Sequence, residues 1–284
     1  MEEAIRKADV LIEALPYIKR FRKKIAVIKY GGSILGEESI RSNVLEDIVF
    51  LSFIGMKVIL VHGGGPNISQ RMRNTGKKTE FLEGMRVTDK ETLGLVEEEL
   101  DKLNSLLVKE INTLGAKAEG FSGKHNQLIE VKKKKAKIDL GLVGEIVNIN
   151  KDFLSGKLKK DAVLVICPMG SGEDKLVYNV NADESASWIS ACLEAEKLVL
   201  LTNVRGIMRN AEDSASLLST LTASEAKRLI KEKIIQEGMI PKVQACMRAI
   251  NKGVKKAHII DARIPHALLL EIFTDSGVGT ELVK

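Results

Sequence analysis

The sequence predicts an α/β protein built on a mainly parallel central sheet, and three observations carry that expectation. Short apolar, β-branched runs recur along the chain at Ile25–Tyr30, Val58–Val61, Ala162–Cys167, Lys197–Thr202 and Ala257–Asp261. Helical patterns stand between them, as crossovers joining parallel strands require. Two of the runs stop at consecutive glycines, IAVIKYGGS at 25–33 and KVILVHGGGP at 57–66. In sheets of this kind the strand ends hold the ligand. Glycine lets backbone N–H groups approach an anion closely, and Lys29, two residues before Gly31, adds a fixed positive charge.

The totals fit one large α/β domain or two lobes. The 284 residues suffice for a sizeable core, and 44% apolar with 29% charged residues is ordinary for a soluble globular chain. The net charge of +6 suits anionic small molecules and would also suit nucleic acid, but only 4% of residues are aromatic, so stacking surfaces for single strands are scarce. Neither a nucleic acid nor a membrane is expected as a partner. Cys167, Cys192 and Cys246 form no CxxC pair and read as buried thiols in a reducing compartment. The four histidines lack metal-ligand spacing, no run reaches membrane-spanning length, and the N-terminus has no apolar h-region. A cytoplasmic location is the expectation.

In chain order, Glu2–Leu15 carries a helical stripe that Pro16 is expected to stop. That helix either packs on its own domain or docks on another subunit. The cluster Lys19–Lys24 reads as a solvated rim. Glu38–Ile54 follows the first strand as a helix, and another begins near Asn67, where Pro66 suits a first turn. Phe81–Asp89 reads as a loop carrying Arg86, which either pairs with a surface acid or forks onto a carboxylate. Lys90–Leu114 is a long helix with Thr88 or Asp89 as cap. After a strand at Ala116–Phe121, GFSGKH (120–125) fails as a P-loop, because His125 stands where Ser or Thr should be. Gln127–Val131 and Gly144–Asn148 read as a hairpin on the sheet's edge with Lys132–Lys135 at its tip. Gly170 and Gly172 suggest a loop. A helix opens near Ala182, behind Asn179, Asn181 and Asp183, which is more polarity than capping needs. Leu217–Leu221 leads into a helix at Ala223–Lys233. Lys242 lies just after Pro241 in GMIPKV, opening a helix to Asn251. His266–Phe273 is a helix, and the glycine-containing DSGVGT (275–280) lies near the end.

Phosphoryl transfer needs positioning and cancellation of negative charge more than covalent help. Lys29 and Lys242 flank glycine-bearing loops in opposite halves of the chain. If they converge they neutralise a phosphoryl group in flight, and Asp183 can hold both ammonium groups. The residues thus point to a kinase-like site without naming the acceptor.

The segments VIKYGGS, VHGGGP, GMRVTD, YNVNAD, AEKLVLLTNV, GMIPKV and HIID with LLLEIFTDSGVGT occur together and in order. From about Ala14 to Thr280 the chain resembles the N-acetyl-L-glutamate kinases of the amino acid kinase family. The resemblance implies a three-layer αβα sandwich with an extra N-terminal helix. It implies residues 1–24 as an oligomerisation and regulatory helix, 25–180 as an acetylglutamate-binding lobe and 181–284 as an ATP-binding lobe. It implies ATP with Mg2+, and phosphorylation of N-acetyl-L-glutamate in the second step of arginine biosynthesis. Lys29 and Lys242 would be the transition-state lysines and Asp183 their orienting carboxylate. Gly31 and Gly32 would bind the phosphoryl group, and Gly64, Gly65, Arg86 and Asn179 the substrate. Thr202, Asn203 and Gly206 would lie at the nucleotide. The ALPYI segment at 14–18 resembles that of arginine-inhibited members, whose helices interlace dimers into a hexamer, a trimer of dimers. It implies L-arginine bound among Tyr17, Lys197, Ser219, Glu271, Gly277 and Gly279. Three features depart from the pattern: Asn203 replaces a usual aspartate, Glu237 the first glycine of GGMIPKV, and Arg209–Ser216 is long and irregular. The rival reading is a catalytically weak arginine-sensing module on the same fold, which the presence of Lys29, Asp183 and Lys242 argues against.

Overall fold

A computed structural model of the chain describes residues 1–82, 84–210, 213–274 and 277–284. The loop expected at 81–89, the irregular segment 209–216 and the tail 275–280 therefore each lie partly outside the described residues, at Glu83, at Ala211 and Glu212, and at Asp275 and Ser276. In order, the first half runs α1 (Glu2–Phe21), β1 (Ile25–Tyr30), α2 (Glu38–Phe53), β2 (Lys57–His62), α3 (Gly65–Asn74), β3 (Phe81–Leu82), β4 (Met85–Arg86), α4 (Lys90–Thr113), β5 (Ala118–Ser122), β6 (Ile129–Lys133), β7 (Gly144–Ile149) and α5 (Lys151–Leu158). It continues with β8 (Val163–Cys167), β9 (Met169–Gly172), β10 (Val177–Asn179), α6 (Ala182–Cys192), β11 (Lys197–Thr202), β12 (Thr220–Thr222), α7 (Ala223–Lys231), α8 (Met239–Asn251), β13 (Lys256–Asp261), α9 (Ala267–Phe273) and β14 (Thr280–Val283).

The main sheet has eight strands in the order β12-β14-β13-β11-β1-β2-β8-β5. From β13 to β5 every pairing is parallel, and β14 runs antiparallel to β13. The first half of the chain fills one side of the sheet and the second half the other, joined where β1 pairs with β11.

Alternation along the strands sorts the core into two layers. Ala26, Ile28 and Tyr30 of β1, with Val58 and Leu60 of β2, pack under α2, α4 and α9. Val27, Ile59, Val61, Leu198 and Leu200 face the other way, under α5, α6, α7 and α8. Both layers are apolar, which is why these strands read as unbroken hydrophobic runs.

Four expectations need correction. Pro16 does not end the first helix: α1 continues to Phe21 with Pro16 inside it. The missing N–H loses one internal bond, but the turn beyond is anchored, because Phe21 is buried and the Tyr17 ring meets Phe273 edge-on at 6.0 Å. The hairpin around Lys132–Lys135 is not on the main sheet's edge. Strands β6 and β7 belong to a separate sheet, β10-β9-β6-β7, laid over the apolar face that carries Val27. Gly170 and Gly172 are not a loop but lie in β9, paired with β10 and β6. A side chain at Gly170 would strike Val131 at 2.5 Å, so the glycine there serves packing. The segment 81–89 holds a two-stranded ribbon, Phe81 opposite Arg86. The tail also adds β14, too short and polar to announce itself as a strand.

Candidate active site

The charged centre follows from strand parity. Val27 faces the layer under α6 and α8, so Lys29, two residues on, emerges on that same side at the end of β1. Helix α6 is capped by the Asn181 side chain, which accepts from the Glu184 N–H, and this places Asp183 in the first turn. Lys242 stands just beyond Pro241 near the start of α8. The three side chains meet there. Asp183 Oδ1 lies 3.0 Å from Lys29 Nζ, and Asp183 Oδ2 accepts from Lys242 Nζ at 2.8 Å. Lys29 and Asp183 are buried and Lys242 is half-buried. Burial pulls the Lys29 pKa below the ordinary lysine value, with Asp183 pulling it back up. Burial alone would raise the Asp183 carboxyl, but the two ammonium groups outweigh it and hold its pKa at about 2.

The two glycine turns meet above this centre. The Gly63 N–H donates to Tyr30 O at 2.9 Å. A side chain on Gly31 would stand 3.0 Å from Gly63 N, and Gly32 has φ of 83°. Here backbone contact and a left-handed conformation both demand glycine. Gly64 is constrained from elsewhere, since a Cβ there would reach Leu100 at 3.0 Å and Leu103 at 3.1 Å on α4.

A cavity of about 310 Å³ opens over the triad, and Lys29, Gly32, Gly64, Gly65, Arg86, Asn179, Asp183 and Lys242 line it. Arg86, on β4 of the ribbon, is buried. Its guanidinium donates to Ser69 Oγ at 2.7 Å and Gly65 O at 2.9 Å, and lies 4.6 Å from the Phe81 ring centroid. Among the described residues it pairs with no carboxylate, so a surface ion pair does not account for it. Asn179 Nδ2 donates to Thr88 Oγ1 at 3.2 Å. The ribbon wall of Phe81 and Met85 was missed in sequence. Its signal was Phe81 and Leu82 before Gly84 and Met85 directly after it, with Gly84 at φ of 77°.

Residues 24–261 match the profile of the Amino acid kinase family. The chain belongs to the amino acid kinase family. It is 47% identical to the acetylglutamate kinase of Petrotoga mobilis over 283 residues, covering 99% of this chain and 95% of that protein. It is 46% identical to the acetylglutamate kinase of Thermoanaerobacter pseudethanolicus with the same coverage. Among solved structures, an N-acetylglutamate synthase from Neisseria gonorrhoeae complexed with coenzyme A and N-acetyl-glutamate has the same fold, with a TM-score of 0.86 at 24% identity. That likeness covers 96% of this chain and 62% of the synthase chain.

In this amino acid kinase the remaining expected residues fall in two places. Thr202 ends β11, on the same C-terminal edge of the parallel strands as the glycine turns. Its hydroxyl oxygen lies 2.8 Å from Val204 O and 3.2 Å from Ile260 O and accepts from Val204 N–H at 3.1 Å, so its side chain is engaged in the fold. Asn203 is exposed beside it, and Gly206 is buried at φ of 147°, where a Cβ would strike Thr280 Oγ1 at 2.6 Å. On the other side, Tyr17, Lys197, Ser219, Glu271, Gly277 and Gly279 line one cavity of about 120 Å³ between α1, α9 and the tail. Glu271 is buried there, with Oε1 2.6 Å from His258 Nδ1 and Oε2 accepting from Val278 N–H at 2.8 Å. His258 Nε2 lies 3.1 Å from Lys197 Nζ. Glu237, the residue in place of a family glycine, takes a left-handed φ of 38°.

Proposed function

We propose that this chain transfers the γ-phosphoryl group of ATP to the γ-carboxylate of N-acetyl-L-glutamate, forming N-acetyl-L-glutamyl 5-phosphate in the second step of L-arginine biosynthesis. The observation that carries this reading is Asp183 held between Lys29 and Lys242, from opposite halves of the sheet, under two glycine turns. Kinship at 47% identity over nearly the whole chain supports it.

The donor set also suits a carboxylate acceptor. A hydroxyl acceptor must lose a proton, yet the only carboxylate in the triad already has an ammonium on each oxygen. An acceptor carboxylate arrives ionised at neutral pH and needs no base. In this reading its oxygen attacks the γ-phosphorus and the bond to the ADP oxygen breaks. Lys29 and Lys242 offset the charge that builds on the transferring group. Gly31 and Gly32 supply backbone donors to that group. Arg86, with Gly64, Gly65 and Asn179, holds the α-carboxylate end. Residues 25–180 act as the acetylglutamate lobe and 181–284 as the ATP lobe, with the nucleotide near Thr202, Asn203 and Gly206. Among the described residues no group of three His, Cys, Asp or Glu could hold a metal. The donors therefore suit a Mg2+ that arrives on the triphosphate. We assign the reaction to the cytoplasm; no described helix is long and apolar enough to cross a membrane.

The same reading extends to control. The cavity at Glu271 offers a carboxylate for a guanidinium and Lys197 for an α-carboxylate, which fits L-arginine as feedback inhibitor. Val10, Leu11 and Ile12 of α1 are exposed apolar residues, 57%, 68% and 68% accessible, which fits a hexamer joined through these helices as a trimer of dimers. The deciding experiment follows ADP release with ATP, Mg2+ and N-acetyl-L-glutamate, with and without L-arginine. Turnover that requires acetylglutamate and is lost in Lys29→Ala supports the kinase. Arginine binding without turnover would replace it with the sensing module. Light scattering of the wild type and of Leu11→Asp tests the assembly, with dimers in the variant as the expected result and dimers in both as the result against it.

A further inference from the structure

Behind the triple-glycine turn, on the sheet face opposite Lys29, lies a buried polar relay that the proposed chemistry does not use. Val58 and Leu60 point under α2 and α4, so His62, of the same parity, points there too. Its ring is fully buried. Nδ1 lies 3.1 Å from Gly63 O, and Nε2 lies 3.2 Å from Asn104 Nδ2 on α4. The same Asn104 amide donates to Val165 O at 3.0 Å on β8. Both ends of the relay are backbone carbonyls, which only accept. Nδ1 must therefore carry the proton and Nε2 the lone pair. Burial drives the imidazole pKa down to about 4, so this neutral tautomer holds at working pH. The relay has space because residue 120 is glycine: a Cβ there would fall 2.2 Å from Asn104 Oδ1. That gives a reason for the first glycine of GFSGKH, a motif with no part in the chemistry.

We propose that His62 and Asn104 are positioning residues that aim the Gly64 N–H at the substrate. A trans peptide points its carbonyl and its N–H in opposite directions. The bond from His62 to Gly63 O turns that carbonyl toward the back of the sheet, and so turns the Gly64 N–H toward the cavity. The Gly63 N–H is already committed to Tyr30 O, leaving Gly64 as the next donor along the turn. This assignment rests on acetylglutamate as the ligand at Gly64 and Gly65.

The test compares His62→Leu, His62→Asn and Asn104→Leu with wild type, each checked for folding by circular dichroism. The expected result is a KM for acetylglutamate raised roughly tenfold in both leucine variants, the size of one lost hydrogen bond, with the KM for ATP unchanged. His62→Asn, whose amide stands near the position of Nδ1, recovers most of the loss. A general packing defect would move both KM values or neither, and either outcome overturns the proposal. If the leucine variants do not fold, 15N-histidine spectra of the wild type decide: an Nδ1-protonated ring from pH 6 to 9 is required, and an Nε2-protonated or titrating ring refutes the relay. Absence of acetylglutamate-dependent turnover in the wild type would refute the kinase assignment itself, while the tautomer reading would still stand or fall alone.

Discussion

Two buried carboxylates, Asp183 and Glu271, sit on opposite sides of the sheet and handle charge differently. Asp183 touches both of its lysines directly. Glu271 reaches its lysine through an imidazole, with His258 Nδ1 on the carboxylate and Nε2 facing Lys197. Direct contact keeps the Asp183 carboxyl ionised down to about pH 2. The interposed ring gives Lys197 little of that support. Burial, then the neighbouring Lys256 charge, lower its pKa to about 8, against a pull upward from Glu271. Burial also lowers the pKa of His258, which favours a neutral ring between the two. The contrast lies in how each carboxylate meets its cation, across a direct contact at Asp183 and through an imidazole at Glu271. Burial lowers the lysine pKa in both clusters, at Lys29 against the pull of Asp183 and at Lys197 to about 8, near physiological pH.

The largest effect that would break this contrast is on turnover. Lys29→Ala and Lys242→Ala are each expected to lower kcat by at least about 10²–10³-fold, the scale for one lost transition-state donor. Near-normal turnover in either variant would mean the charges at Asp183 are only structural. Next is Glu271→Gln, which is expected to weaken L-arginine binding by roughly 10- to 100-fold in calorimetry, as loss of charge-assisted bonds implies. The contrast sharpens with pH. Arginine affinity is expected to fall as pH rises through about 8, where Lys197 loses its proton. For Asp183 the folded pKa lies below the unfolded value, so its contribution to stability is present above pH 3.8 and is lost as pH falls through about 2. That contribution is about 2 kcal/mol, and acid titration of Asp183→Asn beside wild type would isolate it. The smallest effect concerns the loop that delivers Lys242. Glu237→Gly relieves a left-handed backbone, worth about 1–2 kcal/mol, against about 0.4–1 kcal/mol of added unfolded-state entropy. Thermal unfolding should therefore shift upward by only a few degrees or less.

Much of this was legible in sequence because the signals were local. Strands β1 and β11 are buried on both faces, so an apolar run marks each from end to end. The Asn181 cap and the start of α6 could be read from side-chain chemistry alone. Lys29, Asp183 and Lys242 could be named, but their meeting depends on strand parity and on the order β11-β1-β2, which no local pattern encodes. What could not be read was set by distant contacts. Pro16 is carried through a helix by the Phe273 and Phe21 packing beyond it, and Gly170 belongs to a strand because Val131 covers it. His62 looked like part of a glycine turn, and only Asn104, forty-two residues later, gives it a task.

The place of β1 in the sheet bears on how the chain is made. It comes before every other described strand in chain order, yet it lies in the middle, between β2 and β11. Its second neighbour spans Lys197–Thr202, so one edge of β1 stays unpaired until those residues have emerged. An open apolar edge of this kind invites association between nascent chains. Synthesis that stalls before residue 197 would leave a half-sheet holding Lys29 but neither Lys242 nor a closed seam. Such fragments should be found with chaperones or in aggregates, and activity should appear only after the second half has docked along β1.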